Sequence, residues 1–284
     1  MASVAVYRIE KHTRSFTICG ALEAGIKRIG DRVRIHNEAH YVQPDADVAV
    51  FYGQMGNLPK VLAEYVAAGR TAVCVDLGYW ARKQAGRGGK LTGYHKFAVN
   101  ARHPTKYFRA RPHDDSRVRA LGLALKPWRA GKHILVAGMS AKSAKVEGFG
   151  PEEWERAAVQ ALREHTDRPI VYRPKPSWKD ATQIEGTTFS PAEQSLEEVL
   201  SDCHMVVTHH SNAAADGLVD GVPAMCVDGV ALPMGISEFA QVEQPVFPED
   251  RQAWLADVSW CQFHLAEIAK GIPWRHLKDE GLVP

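Results

Sequence analysis

The chain is expected to be an α/β protein of two Rossmann-like domains facing a cleft, and three features predict it. Short β-branched apolar runs alternate with helical patterns through residues 4–76. A second alternation begins at His133, and residues 204–228, HMVVTHHSNAAADGLVDGVPAMCVD, read as strand, turn, short helix, turn and strand. Apolar runs of this kind suit strands buried on both faces, and their alternation with helices implies parallel sheets covered on both sides.

In the first half, residues 4–9 form a strand and residues 16–29 a helix with Ile18, Leu22, Ile26 and Ile29 on one face. Residues 33–35 give a short strand, 46–52 a buried strand, 59–68 a helix and 71–76 another buried strand. Residues 78–127 break this rhythm with glycines, aromatics and cations, and read as functional loops with an irregular edge. Residues 133–138 then open the second alternation, with a polar, glycine-containing loop over 139–150. Pro151 suits the first position of a helix running to about His165, with Glu152 and Glu153 in its positive first turn. Residues 169–173 form the next strand, and Ser195 with Glu198 makes a capping box for the helix before strand 205–208. Ser211 or Asn212 N-caps the alanine-rich helix, Gly221 and Pro223 close it, and residues 224–227 begin another buried strand. Helical patterns return at 251–258 and 260–270. The boundary falls within residues 117–132, giving domains over 1–125 and 126–284, with the final helices crossing back onto the first.

The chain of 284 residues is long enough for two ordinary cores. Its five cysteines, Cys19, Cys74, Cys203, Cys226 and Cys261, form no CxxC pair, which indicates a reducing, cytoplasmic setting. No apolar run approaches the ~18 residues of a membrane span, and no signal core follows the N-terminus, so no membrane partner is expected. Charge is unevenly spread. Residues 82–145 carry sixteen lysines and arginines against Asp114 and Asp115, a segment charge of +14, whereas the whole chain carries +2. Tyr79, Trp80, Tyr94, Phe97, Tyr107, Phe108 and Trp128 interleave with these cations, a composition suited to a polyanion such as double-stranded DNA. Arg82, Lys83, Arg87, Lys90, Lys96, Arg102, Lys106 and Arg109 are the candidate nucleic-acid contacts.

Three strand ends in the second half are expected along one sheet edge: Gly138 and Ser140 with Lys142, Arg173 with Lys175, and the turn His209, His210, Ser211, Asn212. A helix N-terminus there, with amides and roughly half a positive charge aimed outward, suits a diphosphate. None of the loops is a P-loop, and no GxGxxG follows the first strand, which disfavours a P-loop kinase and a dehydrogenase. The chain has no HExxH, Asp-x-Asp or Cys/His metal spacing, so no dedicated metal site is expected; Mg²⁺ at the diphosphate is compatible with the pocket.

The run VVTHHSNAAADGLVDGVPAMCVD resembles the donor-binding motif of GT-B glycosyltransferases. That resemblance implies a C-terminal domain for a nucleotide-sugar donor such as a UDP-sugar, an N-terminal acceptor domain, and metal-independent neutralisation of the leaving group. It implies donor contacts from Arg173, Lys175, the 209–212 turn and Ser140, and sets Asp216 where related enzymes carry a ribose-binding glutamate. Residues 75–82, residues 94–103, Glu243-Gln244-Pro245, Arg251, Trp254 and Trp260-Cys261-Gln262 resemble phage-encoded proteins of this fold. Phage GT-B enzymes that glycosylate hydroxymethylated DNA bases would supply a link to the basic segment, the host cytoplasm being the setting and the base being flipped from the duplex. Asp76, at a buried strand's carboxyl end, is the expected general base, with His95 as substitute. Competing readings are a GT-B enzyme of cell-envelope saccharides, an inactive nucleic-acid clamp of the same fold, and a UDP-sugar epimerase.

Overall fold

The computed structural model describes residues 1–83, 89–106 and 113–284. The chain runs β1 (Ser3–Arg8), α1 (Thr13–Ile29), β2 (Arg32–Asn37), β3 (Val48–Tyr52), α2 (Leu58–Ala67), β4 (Thr71–Leu77), β5 (Tyr94–Val99) and α3 (Ser116–Ala120). It continues with β6 (His133–Ala137), α4 (Ala141–Glu147), α5 (Glu153–Arg163), β7 (Ile170–Arg173), β8 (Thr188–Phe189), α6 (Leu196–Leu200) and β9 (Cys203–Thr208). Then come α7 (Asn212–Asp220), β10 (Ala224–Cys226), α8 (Arg251–Ser259), β11 (Gln262–His264), α9 (Leu265–Ala269) and α10 (Ile272–Asp279). Two compact units result, one of Met1–Arg117 with Ala256–Pro284 and the other of Val118–Leu255.

The first unit is a six-stranded sheet ordered β11-β5-β4-β3-β1-β2. Strands β1 to β4 are parallel, while β5 runs antiparallel to both β4 and β11. Period-two alternation divides the strand side chains between two cores. Val4, Val6, Val48, Val50, Val73 and Val75 meet Ile18, Leu22 and Ile26 of α1, together with Ile268, Trp274 and Leu277 from the C-terminal helices. Ala5, Tyr7, Ala49, Phe51, Ala72 and Cys74 meet Leu58, Val61 and Tyr65 of α2.

The C-terminal helix is tied to the chain's beginning through buried Asp31. Its carboxylate accepts hydrogen bonds from Ala2 N–H and Trp274 Nε1, each at 2.8 Å, and pairs with Lys278 Nζ at 2.8 Å. Burial alone would raise the Asp31 pKa, but these partners outweigh it and hold the carboxyl below its usual range. A depressed folded pKa means that this stabilisation is present above the unfolded aspartate's value and is lost as pH falls through the folded one. Asp31→Asn is therefore expected to cost about 1–3 kcal/mol at pH 7 and to flatten the acid limb of stability. Urea midpoints measured from pH 3 to 7 check this; an unchanged acid limb would refute it.

The second unit is an all-parallel sheet ordered β10-β9-β6-β7-β8. Ile134, Val136, Ile170, Tyr172, Met205 and Val207 from its strands pack with Trp154, Ala158 and Leu162 of α5. Helix α6 opens with the expected Ser195–Glu198 capping box. Helix α7 begins at its Ser211 N-cap and ends at Gly221, whose φ of +83° is the left-handed terminus that glycine adopts without strain.

Several elements depart from expectation. Residues 94–99 form β5 where loops with an irregular edge were expected, and residues 262–264 form β11 inside the expected helix 260–270. These two strands pair with each other, Lys96 opposite Gln262, so neither carries a local signal of its partner. A short α4 occupies the expected loop at 139–150, capped by Ser140 and closed by Gly148. Helix α5 starts at Glu153 because Glu152 has a left-handed backbone, φ +55°, and the Glu152 carboxylate accepts from Tyr172 Oη, Thr182 N–H and Arg156. Among the described residues no helix is long and apolar enough to cross a membrane.

Candidate functional site

In the second unit, the carboxyl ends of β6 and β9 are adjacent, and polar chemistry gathers there. Thr208, the last residue of β9, donates its hydroxyl to the Ala137 carbonyl at 2.6 Å and accepts from Ser211 N–H at 3.1 Å. That pair of bonds turns the chain so that Ser211 caps α7, accepting from Ala213 N–H at 3.3 Å. The N-terminal amides and the positive end of α7 therefore sit at the sheet edge, an arrangement that attracts an anion. His209 is buried, its ring edge-on to Phe149 and Trp154 at 5.7 Å each, whereas His210 is partly exposed. The two Nδ1 atoms are 2.8 Å apart, so one ring donates and its neighbour accepts. Asn212 and Asp216 lie one turn apart on α7, both partly exposed. On the neighbouring strand end, Gly138 N–H donates to the Arg173 carbonyl at 2.9 Å, and Met139 N–H donates to buried Glu155 at 2.6 Å. Burial raises the Glu155 carboxyl pKa.

Not every expected donor ligand is disposed for that role. The Arg173 guanidinium donates to Ser190 Oγ at 2.7 Å, the Gln194 carbonyl at 2.6 Å and the Pro191 carbonyl at 3.3 Å. It braces the 190–194 loop against β7, and this use of its donors corrects the expectation that it grips phosphate. Arg173→Ala is accordingly expected to lower stability by about 2 kcal/mol while changing nucleotide affinity less than about twofold; chemical denaturation and calorimetry on one preparation check both. The Ser140 hydroxyl is likewise spent as an N-cap, accepting from Ser143 N–H at 3.1 Å. Lys142 is exposed on α4, and Lys175 is partly exposed two residues beyond β7. Glu147, His209 and His210 present ligand atoms within 4.8 Å of one another. Two imidazoles and one carboxylate suit a transition ion, whereas Mg²⁺ takes oxygen ligands, so this group does not fit Mg²⁺.

In the first unit, a second cluster lies at the sheet's carboxyl edge. Asp76, near the end of β4, is partly exposed; its Oδ1 accepts from Leu77 N–H at 2.8 Å, and no described lysine or arginine pairs with it. His95 on β5 is wholly buried, neither ring nitrogen meets a partner in hydrogen-bonding geometry, and its ring stands edge-on to Tyr52 at 5.9 Å. Burial pushes the His95 pKa down to about 4, so it is neutral at pH 7. A sealed neutral ring does not reach an acceptor, which corrects the substitute-base expectation for His95. Burial, followed by the Asp76 charge, pushes the Tyr52 hydroxyl well above its usual range. Arg14 Nη1 donates to Tyr52 Oη at 3.4 Å, and Arg14 Nε is buried without a partner. Gln262 closes the arrangement by accepting from Tyr79 N–H at 2.7 Å and Trp80 N–H at 3.2 Å. Sequence reading gave Arg14, Tyr52 and Gln262 no site role; Tyr52 was marked by its place at a buried strand's carboxyl end and Gln262 by the resemblance of residues 260–262, whereas nothing marked Arg14.

The basic segment is not one solvated face. Lys96 is buried, its Nζ donating to His103 Nδ1 at 3.0 Å beneath the Tyr79 ring, so its assignment as a nucleic-acid contact is withdrawn. Arg117 is buried in a bidentate pair with Glu267, and Lys126 and Arg129 both pair with Asp220. Tyr79, Trp80 and Phe97 are core residues, and Trp128 lies beneath Arg251 at 3.8 Å. Lys83 and Lys90 are exposed, and Arg82 and Arg102 are partly so. Although Lys90 reaches solvent, partial desolvation of its ammonium and then the nearby charges of Arg14, Lys83 and Arg82 lower its pKa. Arg87 and Arg109 lie outside the described residues, as does the Lys106 side chain.

No protein-family model matches the chain, and no curated protein matches it in sequence. Among solved structures, it is similar to the β-Kdo 2,7-transferase of Thermosulfurimonas dismutans KpsC, at 12% identity with a TM-score of 0.53, covering 96% of this chain and 99% of that one. The β-Kdo 2,4-transferase of the same protein is similar over 78% of this chain and 79% of that one, at 13% identity with a TM-score of 0.47. Anabaena HepE in complex with UDP-glucose matches at 10% identity with a TM-score of 0.34, covering 98% of this chain and 100% of that one. The fold is α/β, with two Rossmann-like units, in the GT-B class.

Proposed function

We propose that the protein is a glycosyltransferase that moves a sugar from a nucleotide-diphosphate donor to a hydroxyl on an anionic acceptor. The observation that carries this reading is the Thr208–Ser211 turn, which sets the positive end of α7 at the carboxyl edge of an all-parallel sheet. The GT-B fold supports it. The second unit binds the diphosphate through the first turn of α7, with His210, Asn212, Lys142 and Lys175 around it. The first unit supplies Asp76 as general base. The acceptor oxygen attacks the sugar's anomeric carbon, its proton passes to the Asp76 carboxylate, and the carbon–oxygen bond to the nucleoside diphosphate breaks. Asp76 suits this task because its carboxylate is partly exposed and has no described cation partner, while neutral His95 and Tyr52 surround it.

Arg14, Arg82, Lys83 and Lys90 favour an acceptor that carries negative charge. A hydroxymethylated base in phage DNA is the most specific such acceptor. Its binding should weaken with salt at about −0.9 in log–log slope per phosphate engaged. Calorimetry with UDP, GDP, TDP, ADP and their sugars tests the donor half: one nucleotide should bind at micromolar Kd, and Ser211→Ala should weaken it about tenfold. Failure of every nucleotide to bind would sink the transferase reading. Mass spectrometry of nucleosides from hydroxymethylated DNA tests the acceptor half, and envelope saccharides in the same assay provide the competing outcome.

A further inference from the structure

We propose that the first unit contains a zinc-type divalent metal site formed by His113, His276 and Glu280, none of which belongs to that unit's strand-edge cluster. His276 and Glu280 are four residues apart at the C-terminal end of α10, a spacing that sets two side chains on one helix face. His113 comes from the segment before α3. One ligand atom from each residue lies within 4.8 Å of the other two, with His113 Nε2 3.7 Å from Glu280 Oε1. Contraction of about an ångström would bring such a set to the ligand separations of a metal bound at 2.0–2.2 Å.

A second observation singles out His113 as a ligand. Its Nδ1 is 2.9 Å from Asp257 Oδ1, and its Nε2 is buried without a hydrogen-bond partner. An Nδ1–H donated to a carboxylate fixes the tautomer and leaves the lone pair on Nε2, directed toward Glu280. Carboxylate–histidine–metal relays are built in this way, with the outer carboxylate orienting the ring and raising its basicity. The side chains of His113, Asp257 and Glu280 are each at least nine-tenths buried. Phe97, Trp260, Cys261, Phe263 and Leu277 help line an adjoining cavity of about 30 Å³. That volume accommodates an ion and its water but no organic cosubstrate. Two imidazoles and a carboxylate favour Zn²⁺ over Mg²⁺ or Ca²⁺. The ion would clamp α10 to the segment before α3 and, through Asp257, to the end of α8.

Full-length protein dialysed against chelator and titrated with Co²⁺ should develop the visible absorption of low-symmetry cobalt, saturating at this site and reversed by Zn²⁺. Trp260, 5.7 Å from the His113 ring and 5.2 Å from that of His276, should report binding by fluorescence quenching. Zn²⁺ at a hundred times its Kd should raise the Tm by about 5 °C. His276→Gln and Glu280→Gln should each weaken Co²⁺ binding at least about 100-fold, and Asp257→Asn about 10-fold. His210→Ala should leave this binding intact, which separates the site from the metal-competent group of the second unit. If neither Co²⁺ nor Zn²⁺ changes absorption, fluorescence or Tm, the site does not exist. If His276→Gln or Glu280→Gln retains a native circular-dichroism spectrum and full affinity, the ligand assignment is overturned; if either fails to fold, the graded loss in Asp257→Asn decides.

Discussion

Asp76→Asn is expected to lower kcat by about 10²–10⁴-fold, the usual contribution of a positioned general base, while nucleotide affinity stays unchanged. The substitution is conservative in structure for a specific reason. Asp76 Oδ1 accepts from Leu77 N–H at 2.8 Å, and an asparagine side-chain oxygen can accept the same bond. No buried ion pair is broken, because no described cation pairs with the carboxylate. The cost to stability should therefore stay within about 0.5 kcal/mol. Asp76 also cannot be replaced by its neighbours. His95 is sealed in the core with its pKa pushed down to about 4, and the Tyr52 hydroxyl holds its proton throughout the physiological range. Rates of nucleoside diphosphate release, measured with the sugar nucleotide selected by calorimetry, provide the check. Full activity in the variant would remove Asp76 from the mechanism and leave the donor assignment intact. Loss of nucleotide affinity together with turnover would mean that the residue acts through structure.

The parts of this molecule that were legible in its sequence are those governed by local chemistry. Ser211 and Ser195 cap helices because a side-chain oxygen satisfies amides two or three residues away, and the buried run of β9 needs only β-branched residues in succession. What the sequence concealed depends on residues far apart along the chain. Strand β5 reads YHKFAV, and its histidine and lysine look exposed. Both are buried, because His103 accepts from Lys96 and because β11, paired across 166 positions from Lys96 to Gln262, covers that edge. Arg173 shows the same limit in a residue expected to bind the donor. An arginine at a parallel strand's carboxyl end suits an anion site or a loop brace equally well, and the 190–194 segment decides for the brace. Charge counting over 82–145 failed for the same physical reason: carboxylates that neutralise Arg117, Lys126 and Arg129 come from residues 220 and 267.

Gly25→Ala should destabilise the first unit by about 3 kcal/mol, although alanine is the better helix former. Within α1 a glycine costs about 0.8–1 kcal/mol relative to alanine, so local propensity alone predicts stabilisation by that amount. Packing reverses the sign. A Cβ at residue 25 would lie 2.1 Å from the Ile268 carbonyl oxygen and 3.0 Å from Gly271 Cα. Both are backbone atoms, one in α9 and one in the turn leading to α10, so no side-chain rotation relieves the clash. Relief requires separating α1 from α9, which opens the core shared by Ile18, Leu22, Ile26, Ile268 and Trp274. Overpacking of a rigid core costs about 1–3 kcal/mol and occasionally more, and backbone-on-backbone contact lies at the upper end. Gly20 provides the internal control, since it lies in the same helix and its added Cβ would meet nothing within 4 Å. Gly20→Ala should therefore stabilise by about 0.5–1 kcal/mol. Urea midpoints for the two variants should move in opposite directions from the parent's. Shifts of the same sign would mean that α1 and α9 are not held at this separation, and that the C-terminal helices are not fixed parts of the first unit's core.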